Sequence, residues 1–246
     1  MKKLFVLLSA LMLIFAVSCS NDTPSVSVDA VMIDPIEIPE ATGNLSGDAK
    51  AAFDEILGEI TMESEFENVI LKTDIQAFYY EDMCIANAVM VDESTVKMTI
   101  VSPVAGFMPG DTIIVKTNPN KIEINGNGDF EEFYAIVEGA EQRSLKEGSE
   151  SLKVTIGEEE YNLDFDYKSV DIDQKGQPNQ KTSHIVVSID NGYKGLPKVF
   201  EIFYDIDGDN RNNFVYKSES SCLSINKKFE YDDIFRAIER NIDIPW

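Results

Sequence analysis

Apolar positions along the chain change period twice, and the changes mark out its elements. Ala49, Ala52, Phe53, Ile56, Leu57 and Ile60 fall at helical spacing, with Asp54, Glu55 and Glu59 on the opposite side. Ser46 or Asp48 can cap that segment, so the spacing predicts an amphipathic helix laid on a sheet. From Glu67 to about Tyr204 the period shortens to two. Val69–Leu71, Ile75–Tyr79, Ile85–Val91, the Val96/Met98/Ile100 series and Ile113–Val115 read as strands. Pro109-Gly110-Asp111 and Asn125-Gly126-Asn127-Gly128 read as turns between them. Phe133, Ala135 and Val137 alternate with Glu132, Tyr134 and Ile136, which predicts a further strand.

The clearest hairpin runs from Leu152 to Lys168. Leu152, Val154 and Ile156 share one side, a turn falls near Gly157, and Tyr161, Leu163, Phe165 and Tyr167 share one side of the return strand. Strict alternation of this kind means one buried face and one wet face. Ile185, Val187 and Ile189 repeat it, and Val199–Tyr204, apolar on both sides, suits a central strand. A second helix is predicted near the end of the chain, with Ile234, Ile238 and Ile242 as its stripe. Asp232 and Asp233 in its first turn and Arg236 and Arg240 near its end match the helix dipole. The expected fold is mainly β (α+β): a curved antiparallel sheet, sandwich or open barrel, with one helix before the strands and one at the C-terminus. Residues 46–246 form this β-rich body. The polar stretch 141–151 offers a split into two modules, but it lacks the proline and glycine of a linker, so one continuous body is preferred.

Composition narrows the partners. Among 246 residues there are 44 Asp and Glu against 21 Lys and Arg, a formal net charge of −23. Such a body is repelled by phosphate backbones and anionic head groups, so nucleic acid is excluded as an expected partner. Solubility explains the charge most simply; divalent cations or basic partners are the sharper reading. At 43% hydrophobic residues the chain has material for a real core.

The start of the chain is distinct. Lys2 and Lys3 precede an apolar run from Leu4 to Val17, too short for the roughly 18 residues that span a bilayer, followed by Ser18-Cys19. This resembles the signal peptide and lipobox of bacterial lipoproteins. The resemblance implies cleavage of residues 1–18, acylation (palmitate among the chains) of Cys19, and attachment to the cell envelope through the lipid. It covers the first twenty residues only. Removing the leader takes away two lysines and no acid, making the mature chain more acidic still. Ser20 rather than Asp after the cysteine leans toward the outer membrane, with the periplasmic or surface face left open. Residues 19–45, with Asp34-Pro35 and Ile38-Pro39, read as a tether of about 25 residues that reaches at most roughly 80 Å. Val31, Ile33 and Ile36 offer an alternative, in which part of this stretch packs as an edge strand.

Candidate chemistry is sparse. His184 is the only histidine and falls on the wet side of its strand, which excludes a multi-histidine metal site and makes a histidine-dependent triad improbable. Acids are too abundant for any carboxylate pair to stand out. Cys84 and Cys222 remain after Cys19, and an exported chain permits a disulfide between them, with two separate buried thiols as the equal alternative. One loop rises above this background, Asp205-Ile-Asp207-Gly-Asp209-Asn-Arg211-Asn-Asn213. It resembles the calcium loops of β-hairpins in integrin-type propeller repeats and the first half of an EF-hand loop. That resemblance implies Asp205, Asp207, Asp209 and Asn213 as side-chain ligands and Arg211 as a carbonyl ligand, with calcium as the cofactor. The loop departs from the pattern at Asn210, Asn213 and Tyr216; an acidic hairpin turn is the plain alternative.

These readings point to a lipid-anchored, extracytoplasmic binding or interaction protein without catalytic motifs, engaging an unidentified protein or glycan. The order of one helix and a long meander is weakly similar to the half-barrels of periplasmic lipoprotein carriers, which implies an apolar or acyl ligand as the alternative. A carbohydrate-active enzyme is the weakest expectation, with Tyr79 and Tyr80 as its candidate aromatics.

Overall fold

The computed structural model describes residues 31–62, 68–92, 94–177, 179–206 and 212–225. The expected C-terminal helix, Cys19 and the leader lie outside the described residues. Helix α1, Gly47–Met62, forms where the stripe predicts it. Ala52, Phe53 and Ile56 are buried, Asp48 sits in its first turn, and Lys50 pairs with Asp54 one turn on.

The strands are β1 Gly43–Asn44, β2 Asn68–Tyr80, β3 Met83–Asp92, β4 Thr95–Ile100, β5 Thr112–Thr117, β6 Asn120–Asn125, β7 Glu141–Ile156, β8 Glu159–Asp173, β9 Gln180–Ile189, β10 Val199–Ile206, β11 Asn212–Lys217 and β12 Cys222–Ser224. They form one open, curved sheet in the order β1-β12-β11-β10-β9-β8-β7-β2-β3-β4-β5-β6. Two antiparallel meanders, β2 to β6 and β7 to β12, are fused by the antiparallel pairing of β2 with β7. The polar stretch 141–151 is therefore no boundary. It is most of β7, bonded to β2 on one side and β8 on the other, so its backbone is satisfied in the middle of the sheet.

Residues 130–139 correct the strand expected there. Phe130–Gly139 is helix α2. Asp129 caps it, its Oδ1 accepting from the backbone N–H of Glu131 (2.9 Å) and of Glu132 (3.1 Å). Phe133 and Val137, four apart, are buried, and Ala140 continues the stripe. Alternation and helical spacing both fit Phe133 and Val137; the cap decides between them. The turn before it is tight, because a Cβ on Gly128 would meet the Phe107 ring at 2.1 Å. Asp129→Ala should cost about 1 kcal/mol, read as a lower urea midpoint at unchanged slope; an unchanged midpoint would show that the cap contributes nothing.

Side-chain parity sorts the cores onto two faces. On β7, Leu152 and Val154 point into a cluster under α1, with Phe165, Ile185, Phe200, Tyr204 and Tyr216. Phe53 meets Phe200 and Tyr216 edge-on, at centroid distances of 5.8 and 5.6 Å. Phe78 of β2 points to the same inner face, into a second cluster with Phe107 and Phe133 under α2. Leu145 lies seven residues from Leu152 and so faces outward. There it joins Ile75, Ala77, Tyr79 and Val170 in a third cluster.

Val31, Ile33 and Ile36 close that outer cluster, and Leu45 at the end of the same stretch enters the inner one. Ile33 is 1% exposed. Its N–H donates to Tyr79 Oη at 2.8 Å, and its carbonyl accepts from Arg143 Nη1 at 2.7 Å. The Arg143 guanidinium lies 4.0 Å over the Tyr79 ring. Ile36 N–H donates to Thr182 Oγ1, and the stretch ends as β1, parallel to β12. The latter part of the stretch read as tether is thus packed on the body and supplies an edge strand. Among the described residues no helix is long and apolar enough to cross a membrane.

Candidate functional site

The inner face carries a polar seam between its two cores. Antiparallel register aligns Gln76, Ser144, Asp171 and Lys181 across β2, β7, β8 and β9, and Asp74, Lys146, Ser169 and Ser183 beside them. Gln76 Nε2 donates to Gln142 Oε1 at 3.2 Å, and the Ser169 and Ser183 hydroxyls are 3.1 Å apart. Burial pushes the Asp171 carboxyl above its ordinary range, against the pull of Lys181 and Lys146.

Glu150 lies farther along the same face of β7, directly opposite Phe165 and two residues from Leu152. It is 2% exposed, and neither carboxylate oxygen has a hydrogen-bond partner. Burial pushes its pKa from 4.5 to about 8, so it is a neutral acid at pH 7. Sequence reasoning missed it. Extending the Leu152/Val154/Ile156 alternation backwards would have turned Glu150 inward.

The rim of the sheet at β10 and β11 holds an open groove of about 900 Å3. Ala49, Val199 and Leu223 give it apolar wall above the buried Phe200 and Tyr216, while Glu201, Lys217 and the serines 218, 220 and 221 give it polar edges. Val199 stands 51% exposed there. Glu201 is the hinge of a small network. Its Oε2 lies 2.8 Å from His184 Nε2 and its Oε1 accepts from Lys217 Nζ at 2.9 Å. Burial raises the Glu201 pKa, but Lys217 and His184 outweigh it and hold the carboxylate below its ordinary range. The His184 ring stacks on Phe203 at 4.3 Å. The wet-face reading of His184 gains two partners from β10, Glu201 and Phe203. The alternation of Val199, Glu201, Phe203 and Asp205 within an apolar run was the available signal.

Such a rim offers a carboxylate, an ammonium, hydroxyls and the exposed apolar side chain of Val199 for binding.

The remaining sequence candidates are dispersed. Asp205, at the end of β10, faces Asn213 on β11 and Thr182 on β9. Asp207, Asp209 and Arg211 lie outside the described residues. Among the described residues no group of three or more His, Cys, Asp or Glu is placed to hold a metal. Cys84 and Cys222 are both free, so the possible disulfide is not formed. Six strands separate β3 from β12 in the sheet. The Cys84 thiol is buried against Asn87 Oδ1 at 3.4 Å, and burial pushes it up to about 11. Tyr79 is committed to Ile33 and Arg143, and Tyr80 points to the other face, 42% exposed. Comparison with known proteins finds no matching family model, no similar curated protein and no similar solved structure.

Proposed function

We propose that the chain is a lipid-anchored, extracytoplasmic binding module that engages a protein or glycan partner through the groove at the β10–β11 rim. The observation that carries this reading is the open groove itself, with mixed polar and apolar walls and the paired Lys217 and Glu201 in its lining. Pockets that recognise ligands combine apolar wall with a few placed polar groups in this way. The carrier alternative needs an enclosed apolar chamber between helix and sheet, and Phe53, Phe200 and Tyr216 fill that space by edge-to-face packing. Calcium at the Asp205–Asn213 loop would then be structural, tying the ends of the β10–β11 hairpin.

Two measurements test the reading. Labelled palmitate should enter the wild type and not Cys19→Ala; a variant that still takes the label overturns the anchor. A photo-crosslinking amino acid in place of the exposed Val199 should trap one discrete adduct in intact cells. Introducing Glu201→Lys into that chain should abolish the adduct. An adduct that survives the substitution, or none at all, overturns the groove as the binding surface.

A further inference from the structure

The last strand of the sheet, β6, is an open edge whose pattern is its own complement. Thr117 N–H donates to Ser94 O at 2.8 Å, and Ile100 N–H donates to Asp111 O at 2.9 Å. These bonds show that the odd-numbered residues of 111–117 turn their backbone groups toward β4. By alternation Thr112, Ile114 and Lys116 turn theirs toward β6, where they face Asn125, Glu123 and Lys121. The N–H and C=O groups of Asn120, Ile122 and Ile124 therefore point outward. Among the described residues no strand lies beyond them. An edge with such a row of free groups is a template for another strand.

We propose that β6 pairs antiparallel with β6 of a second copy of this chain, about a two-fold axis through Ile122. Ile122 then bonds Ile122 of the partner subunit, and Asn120 bonds Ile124 of the partner subunit, giving roughly six backbone hydrogen bonds. The outward groups at 120, 122 and 124 are symmetric about 122, so this register satisfies all of them. The side chains agree with it. Lys121 comes to lie opposite Glu123 of the partner subunit, in a non-hydrogen-bonded pair where side chains approach most closely. Within one chain Lys121 stands opposite Lys116, and both reach the same carboxylate, Glu123 Oε1, at 3.0 Å. Across the axis each Lys121 gains a second carboxylate within reach, Glu123 of the partner subunit. On the other face Ile124, 44% exposed, gains a diagonal contact with Ile122 of the partner subunit. The occupant is a second copy rather than an arbitrary peptide, because the charge order Lys-x-Glu is antiparallel to itself.

Sedimentation velocity of the full chain in mild detergent tests this. The wild type should show a concentration-dependent dimer. Ile122→Pro removes an N–H that faces the open edge; it should abolish the dimer, with a lower melting temperature because Ile122 also packs on the second core. Ile122→Ala, which makes a comparable packing loss but keeps the N–H, should still dimerise. Lys121→Glu and Glu123→Lys should each be monomeric alone, since like charges then face each other across the axis. An equimolar mixture of those two variants should restore a dimer, because Lys121→Glu in one copy then faces Glu123→Lys in the other. A monomeric wild type, a dimer that survives Ile122→Pro, or a mixture that stays monomeric overturns the pairing. If Ile122→Pro unfolds the chain, the charge variants decide alone.

Discussion

Glu150→Leu is expected to stabilise the fold at pH 8 by about 2–4 kcal/mol and to flatten its pH dependence. The carboxyl is 2% exposed, has no partner on either oxygen, and titrates at about 8 in the folded chain against 4.5 for an unperturbed glutamic acid. An acid with a raised folded pKa favours folding in its protonated form. Its contribution is fully present below pH 4.5 and is lost as pH rises through about 8. Over that window the folded wild type loses up to roughly 5 kcal/mol from this group, since each tenfold change in proton affinity is worth about 1.4 kcal/mol. Leucine has no charge to desolvate and continues the apolar row of Leu152 and Val154. Urea denaturation of both chains at pH 5 and pH 8 measures the difference, and the comparison cancels the general repulsion of so acidic a chain. Parallel pH profiles would show that Glu150 finds a partner or water when ionised. Glu150→Gln should recover less, because its amide remains buried without a partner.

Phe53→Ala should cost about 3–5 kcal/mol, the usual loss when a buried aromatic ring leaves a cavity. Phe53 is fully buried and is the ring that couples α1 to the sheet, through Phe200 and Tyr216. In a domain of about 200 residues that corresponds to a fall in melting temperature of roughly 10 °C, read by circular dichroism. Val199→Ala, on the exposed rim, should change stability by less than about 0.5 kcal/mol. A small effect at Phe53 would mean that α1 contributes little to the core, and would reopen the space beneath it as a ligand chamber.

Function divides along the same lines. The groove and the rim network are built from residues distant in sequence, and neither is a motif. His184, Glu201 and Lys217 come from three strands and meet only because β9, β10 and β11 are adjacent. A linear reading sees one solitary histidine. The Asp205–Asn213 loop, which resembles calcium loops, is the reverse case: a local pattern, legible in the chain, whose inner residues 207, 209 and 211 lie outside the described residues.

By itself the sequence determined what depends on near neighbours. Helix α1 follows from one stripe of apolar residues, and the β7–β8 hairpin from alternation around Gly157, whose φ of +70° suits glycine in a two-residue turn. The β-rich class follows from the same short period. Only the tertiary structure decided what depends on which strands meet. It fused two meanders through β2 and β7, so a polar segment that resembled a boundary became the middle of the sheet. It laid Val31, Ile33 and Ile36 across the outer face, set six strands between Cys84 and Cys222, and turned Glu150 into a core. The physical reason is common to all of these. Backbone periodicity fixes which side of an element a residue occupies, but what covers that side is set by packing between elements far apart in the chain.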